Sequence, residues 1–196
     1  MPFIEPVSDE NASAAAAEGF AADRERLGYV PTYSRLLAHH PAAVQAWQQL
    51  NGSIKAEMDL RRYELVTLAA ARRLRSSYCS LAHGSVLVQQ FLDPESLRRV
   101  ALDRRDAGLD EVDVAVMDLA EKVVDDATSV TEADVQRLRD LGLSDKDVLD
   151  VVLAASARCF FSKTLDALGA EPDAEFLTLD PALREVLVVG RPIAAS

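Results

Sequence analysis

Apolar residues recur at helical spacing along most of the chain. Val112, Val116, Leu119, Ala120 and Val123 form one stripe over 110–126. Steps of three and four residues place such side chains on one face of an α-helix. Val44, Trp47 and Leu50 repeat the spacing over 42–58. Further helices are predicted over 11–27, 32–38, 60–74, 78–91, 93–102, 129–142 and 144–168. Several ends carry stop or start signals. Gly28 and Gly169 follow helical runs, where a left-handed residue terminates the helix. Pro41 sits at a first helical position. Ser144 and the run from Ser129 to Asp134 offer side-chain caps. No alternating apolar–polar run is long enough for a strand. The pattern predicts a single all-α domain, divided into an N-terminal arm and helix (1–26), a helical domain (27–170) and a C-terminal tail (171–196). The tail holds Pro172, Pro181 and Pro192 and is expected to wrap the surface or a partner subunit.

Composition supports helices over a β-sandwich. Apolar residues make up 49% of the 196, and aromatics only 6%, too few aromatic and β-branched residues for a strand-rich core. The net charge is -11, from 32 acids and 21 bases. A field of that sign repels phosphate backbones, which argues against nucleic acid as a partner. No 18-residue apolar run exists to span a membrane. The N-terminus shows no basic segment followed by an apolar core, so a secretory signal is not expected. Two cysteines, Cys79 and Cys159, do not make a disulfide scaffold. The expectation is a cytoplasmic protein.

The chemistry-bearing residues gather in one stretch. Cys79 and His83 lie four residues apart and share a helix face. Cys79 falls in the first turn of its helix, after Ser76 and Ser77, either of which can cap it. Unpaired amides and the positive helix end favour a thiolate there. A neighbouring imidazole can take the thiol proton. Glu64 lies on the preceding helix with Leu68 and Ala71 on its face. If the two helices form a tight hairpin, Glu64 reaches His83, orients it and stabilises its charged form.

Each of these residues has a plainer reading. An isolated cysteine in an apolar helix is usually a small core residue, and Cys159, in an apolar run ending Phe160-Phe161, is read that way. His39 and His40 are adjacent, so they point about 100° apart on a helix and make poor co-ligands. With three histidines and two cysteines, neither a metal site nor a cofactor is expected. The five arginines over 61–75 read as a solvated or subunit-facing side, with an anion clamp as the weaker alternative.

The segment from Arg62-Tyr63-Glu64 to Ser76-Ser77-Tyr78-Cys79-Ser80-Leu81-Ala82-His83 resembles the alkylhydroperoxidase D and carboxymuconolactone decarboxylase family, in its peroxidase-related branch. The family pattern is Glu, eleven residues, Cys-x-x-Cys, three residues, His. Glu64, Cys79 and His83 match it, and Ser76 stands where the first cysteine would be. Leu27-Gly28-Tyr29-Val30-Pro31 and Leu141-Gly142-Leu143-Ser144 extend the likeness over roughly residues 27–173. The resemblance implies an all-α, AhpD-like helical bundle that forms homo-oligomers. It implies a thiol-dependent hydroperoxide reductase with Cys79, His83 and Glu64 as catalytic residues and Ser76 and Tyr78 in support. A small hydroperoxide and a thiol reductant would be its partners. Two alternatives stand beside it: a decarboxylase-like lyase using Glu64 and His83 as acid and base, and a non-catalytic helical oligomer.

Overall fold

A computed structural model describes residues 1–195. Ten α-helices run α1 (Ala14–Leu27), α2 (Thr32–Leu37), α3 (Pro41–Glu57), α4 (Leu60–Arg73), α5 (Ser77–Gln90), α6 (Pro94–Asp103), α7 (Glu111–Asp126), α8 (Glu132–Asp140), α9 (Asp145–Ala167) and α10 (Pro181–Leu187). There is no strand among the described residues. The expected helices fall within a few residues of their predicted bounds, because their caps are local. Ser13 accepts from the Ala16 amide, Asp59 from Arg62 and Asp93 from Ser96. Thr131 and Ser144 each open a reciprocal capping box.

Helix α4 is the centre of the bundle. It packs against α5, α7 and α9, and every residue from Tyr63 to Ala71 is buried. A helix buried all round cannot show a clean amphipathic stripe. Its small residues, Ala69, Ala70 and Ala71, let neighbouring helices approach, while Leu65, Val66 and Leu68 join the main core. The neighbours of α4 carry Cys79 (α5) and the long face of α9.

The arginines over 61–75 make contacts within the fold, although Arg73 and Arg75 remain exposed. Arg61 pairs with Asp113 on α7, and Arg73 Nε lies 2.5 Å from Asp125. Arg72 is tied to the carbonyls of Val186 and Ala101. Arg75 donates to the Val189 carbonyl at 3.3 Å. Two of these contacts anchor the segment that follows α9.

That segment folds back onto its own bundle. Asp180 caps α10 by accepting from the Leu183 amide, with Pro181 at the first helical position; this start signal escapes the sequence reading. Leu183 and Leu187 are fully buried, and α10 packs on α5 and α6. Gly84 makes that approach possible: a Cβ there would sit 2.6 Å from Leu187 Cδ1. Further along, the Gly190 amide donates to Ser77 Oγ at 2.8 Å, directly over the start of α5.

Candidate active site

The α4–α5 hairpin brings Glu64 and His83 together. His83 Nδ1 lies 2.6 Å from Glu64 Oε2, and Lys55 Nζ of α3 lies 2.9 Å from Glu64 Oε1. Glu64 is 1% exposed, so both oxygens need such partners. Burial pushes the Glu64 carboxyl up, but the interactions with His83 and Lys55 outweigh it and hold it below the ordinary carboxylate value. A carboxylate only accepts, so the hydrogen between the two rests on His83 Nδ1, which leaves Nε2 with a free lone pair.

His83 is not held charged, in contrast to the sequence expectation. Burial pushes its pKa down to about 4, and the Arg158 charge acts in the same direction. Glu64 opposes both, yet part of its charge is already matched by Lys55. At neutral pH the imidazole is therefore neutral, and it supplies no positive field to the thiol.

Cys79 is buried in a cluster with Ala71, Tyr78, Leu36 and Leu165. Helix α5 starts at Ser77, with Ser76 as its cap residue, so Cys79 does occupy the first turn. No hydrogen bond joins Cys79 to His83 among the described contacts. The polar group that does reach the thiol comes from α9: Arg158 Nη1 lies 3.6 Å from Sγ. Arg158 is itself buried, and no carboxylate forms an ion pair with it among the described residues. Its guanidinium lies over the faces of Phe161, at 5.5 Å, and Trp47, at 6.0 Å. Burial works against its charge, while the Cys79 sulfur and the Tyr63 hydroxyl favour it, and its proton affinity ends above the ordinary guanidinium value. Sequence reasoning missed this residue. A charged side chain inside the apolar α9 run was the available signal.

The other sequence candidates make no hydrogen bond to the thiol. Tyr78 turns to Asp173, which also accepts from the Tyr29 hydroxyl and the Thr32 amide. Tyr78 thus secures the chain after α9, and burial beside Asp173 pushes its hydroxyl pKa up. Ser76 is fully buried. Cys159 follows Arg158 on α9, about 100° around the helix, and so points away from Cys79; burial raises its thiol. His39 bonds the Glu5 carbonyl and His40 caps α3. No set of three or more His, Cys, Asp or Glu side chains is placed to hold a metal ion among the described residues, and no helix is long and apolar enough to cross a membrane. The more open clefts lie elsewhere. One of about 310 Å³ is lined by Arg72, Arg104 and Glu121 and does not reach the thiol.

The fold has clear relatives among solved structures. The chain superposes on the alkylhydroperoxidase AhpD core of an uncharacterized peroxidase-related protein from Ralstonia eutropha JMP134, with a TM-score of 0.83 and 22% identity, over 91% of this chain and 95% of that one. An uncharacterized peroxidase-related protein from Silicibacter sp. TM1040 gives 0.77 at 23% identity, over 90% and 92% of the two chains. The debrominase Bmp8, in a cysteine-to-alanine variant complexed with 2,3,4-tribromopyrrole, gives 0.75 at 12% identity, over 95% and 96%. No family model and no curated protein matches the sequence. The chain therefore has the AhpD-like helical fold, and at these identities the likeness is one of fold alone.

Proposed function

We propose that the chain is a thiol-dependent hydroperoxide reductase with Cys79 as the reacting group. The observation that carries this reading is the contact between the Cys79 sulfur and a buried guanidinium that has no carboxylate partner. A buried cation is costly unless an anion matches it, and the thiolate of Cys79 is the anion within reach. Guanidinium and helix N-terminus together stabilise that thiolate. The neutral His83, one turn further along α5, takes the thiol proton on Nε2. Glu64 positions the ring, and Lys55 steadies Glu64.

In the proposed reaction the thiolate attacks one oxygen of the peroxide. The S–O bond forms as the O–O bond breaks, and the leaving alkoxide takes a proton from the His83 imidazolium. Cys79 becomes a sulfenic acid. An external thiol then reduces it, because position 76 is serine and Cys159 points elsewhere. Peptide mass spectrometry after stoichiometric hydrogen peroxide is the test. A one-oxygen adduct at Cys79 supports the reading, and an unmodified Cys79 at large peroxide excess refutes it.

A second reading has one observation in its favour. The debrominase Bmp8 shares the fold, so this scaffold also carries chemistry on a halogenated pyrrole. In that reading the Cys79 thiolate attacks a bromine: the S–Br bond forms as the C–Br bond breaks, the ring carbon takes a proton, and an external thiol then displaces bromide from the Cys79 sulfur. Thiol-dependent bromide release from bromopyrroles, absent in Cys79→Ser, would select it over the first.

A second copy of the chain is proposed as a partner. Leu149, Leu153 and Phe160 lie on one exposed stripe of α9, and Phe160 touches Trp47 of α3 with ring centroids 5.5 Å apart. Leu50 extends this apolar face on α3, where it is 51% exposed. Contiguous exposed apolar surface of this kind favours association.

A further inference from the structure

Five buried side-chain polar atoms lack a hydrogen-bond partner among the described residues. Four of them, Ser76 Oγ, Ser80 Oγ, Arg158 Nε and Ser162 Oγ, belong to the two segments that meet at Cys79. A buried donor left unpaired keeps its full desolvation penalty, and native interiors satisfy nearly all such groups. A local remedy exists and is used elsewhere on the same helices. Ser85 donates to the Leu81 carbonyl and Thr164 to the Phe160 carbonyl, at 2.8 and 2.7 Å. Ser80 and Ser162 make no such bond. Ser76 Oγ lies beside the Asp166 carboxylate without reaching bonding geometry.

Their placement is not scattered. Arg158, Ser162 and Leu165 follow one another by four and three residues, so they form one stripe of α9. Arg158 touches the Cys79 sulfur and Leu165 packs in the Cys79 cluster. Ser162 lies between them on that stripe. On α5, His83 lies about 40° around the helix from Cys79, and Ser80 about 100°. The α9 stripe that carries Arg158 to the thiol thus also carries two donors that bond nothing while the sulfur is reduced, Arg158 Nε and the Ser162 hydroxyl.

We propose that this set is a receptor for the oxygen atom that Cys79 acquires, so that the chain holds a long-lived Cys79 sulfenate. The inference rests on the peroxide reading above. When the thiolate attacks a hydroperoxide, sulfur loses two electrons and gains one oxygen. The O–O bond breaks, and the alkoxide leaves as alcohol after taking a proton. The sulfenic acid formed gives its proton to the now neutral His83, and the sulfenate oxygen left behind is anionic and accepts several hydrogen bonds. The Ser162 hydroxyl, the Nε–H of Arg158 and its positive charge then acquire the acceptor they lack. Donors already in position cost no reorganisation at that moment. Hydrogen bonding to the oxygen also lowers the nucleophilicity of the sulfenate, which slows the second oxidation to sulfinate. With serine at position 76, the sulfenate waits for an external thiol.

The test compares the Cys159→Ala protein with Cys159→Ala/Ser162→Ala. Both are treated with hydrogen peroxide and followed by intact-mass spectrometry, with thermal melts of the reduced forms. The Ser162 hydroxyl bonds nothing in the reduced state, so its removal is expected to leave the melting temperature unchanged or higher. The one-oxygen adduct should still form. It should then pass to the two-oxygen adduct at least about fivefold faster, the size of one lost hydrogen bond. Equal adduct lifetimes would overturn the inference while leaving the peroxide reading intact, and a lower melting temperature for reduced Ser162→Ala would also overturn it. No adduct in the parent protein would remove both.

Discussion

Arg158 Nη1 on α9 sits 3.6 Å from Cys79 Sγ on α5, and the two residues are 79 apart in the chain. This contact gives the buried guanidinium its one sulfur partner and gives the buried thiol a cation. The positive charge expected from His83 is supplied by Arg158 instead.

Replacing Arg158 with methionine keeps much of the side-chain volume and removes the charge. Alkylation of Cys79 by iodoacetamide at pH 7, with Cys159 replaced by alanine, should slow by roughly tenfold to a hundredfold, the range for a hydrogen bond to a charged group. The reduced variant should be about as stable, because Cys79 then takes up a proton and no buried charge is left unmatched. Unchanged labelling would show that the helix terminus alone activates the thiol.

His83 has a pKa depressed to about 4 from an ordinary 6.5. Above 6.5 both folded and unfolded states carry neutral imidazole, and stability is unaffected. As pH falls, the unfolded chain binds the proton first. Stability is therefore lost between about pH 6.5 and 4, by up to roughly 3 kcal/mol for a shift of this size. Glu64, whose pKa is lowered, adds a loss in the same direction at the acidic end, because its stabilising contribution is present above the unfolded value and fades below it. Urea unfolding at pH 7 and pH 4.5 should show a large drop for the natural protein and a smaller one for His83→Gln. An NMR titration should find the His83 ring neutral at pH 6. A half-protonated ring near pH 6.5 would contradict the buried, Arg158-facing environment.

Ser76→Cys places a thiol at the cap of α5, three residues before Cys79. One equivalent of peroxide should then convert both thiols to an intramolecular disulfide, since the sulfenate at Cys79 meets a resolving thiol. Turnover with a dithiol should rise above the natural protein. Free-thiol titration and mapping of the disulfide peptide check this. Three surviving thiols, Cys159 among them, would mean that the cap residue cannot approach Cys79.

Leu153→Glu and Phe160→Glu put charges on the exposed α9 stripe. Light scattering at micromolar concentration should give an oligomer for the natural protein and a smaller species for the double variant, with helical content retained. A natural protein that scatters as a monomer would remove the proposed partner.

Features that depend on near neighbours can be read from the chain alone. Helices α1 to α9 were legible because periodicity, glycine stops and side-chain caps act within a turn or two. Cys79 in the first turn of α5 and its four-residue step to His83 are of the same kind. The meeting of Glu64 with His83 was within reach because a short connection between α4 and α5 forces an antiparallel hairpin. Helix α10 was legible in principle from Asp180 and Pro181, but its apolar residues have meaning only against Gly84 and α6. Tertiary structure alone decided the rest. Arg158 and Lys55 arrive from α9 and α3, and no local pattern says where a lone charged side chain in those helices ends. The charge state of His83 follows from burial and from Arg158, both absent in the isolated α4–α5 hairpin. The unsatisfied hydroxyls of Ser80 and Ser162 look like ordinary helix serines in the sequence; they matter only where packing buries them without a partner, and for Ser162 that is on the α9 stripe that brings Arg158 to the thiol.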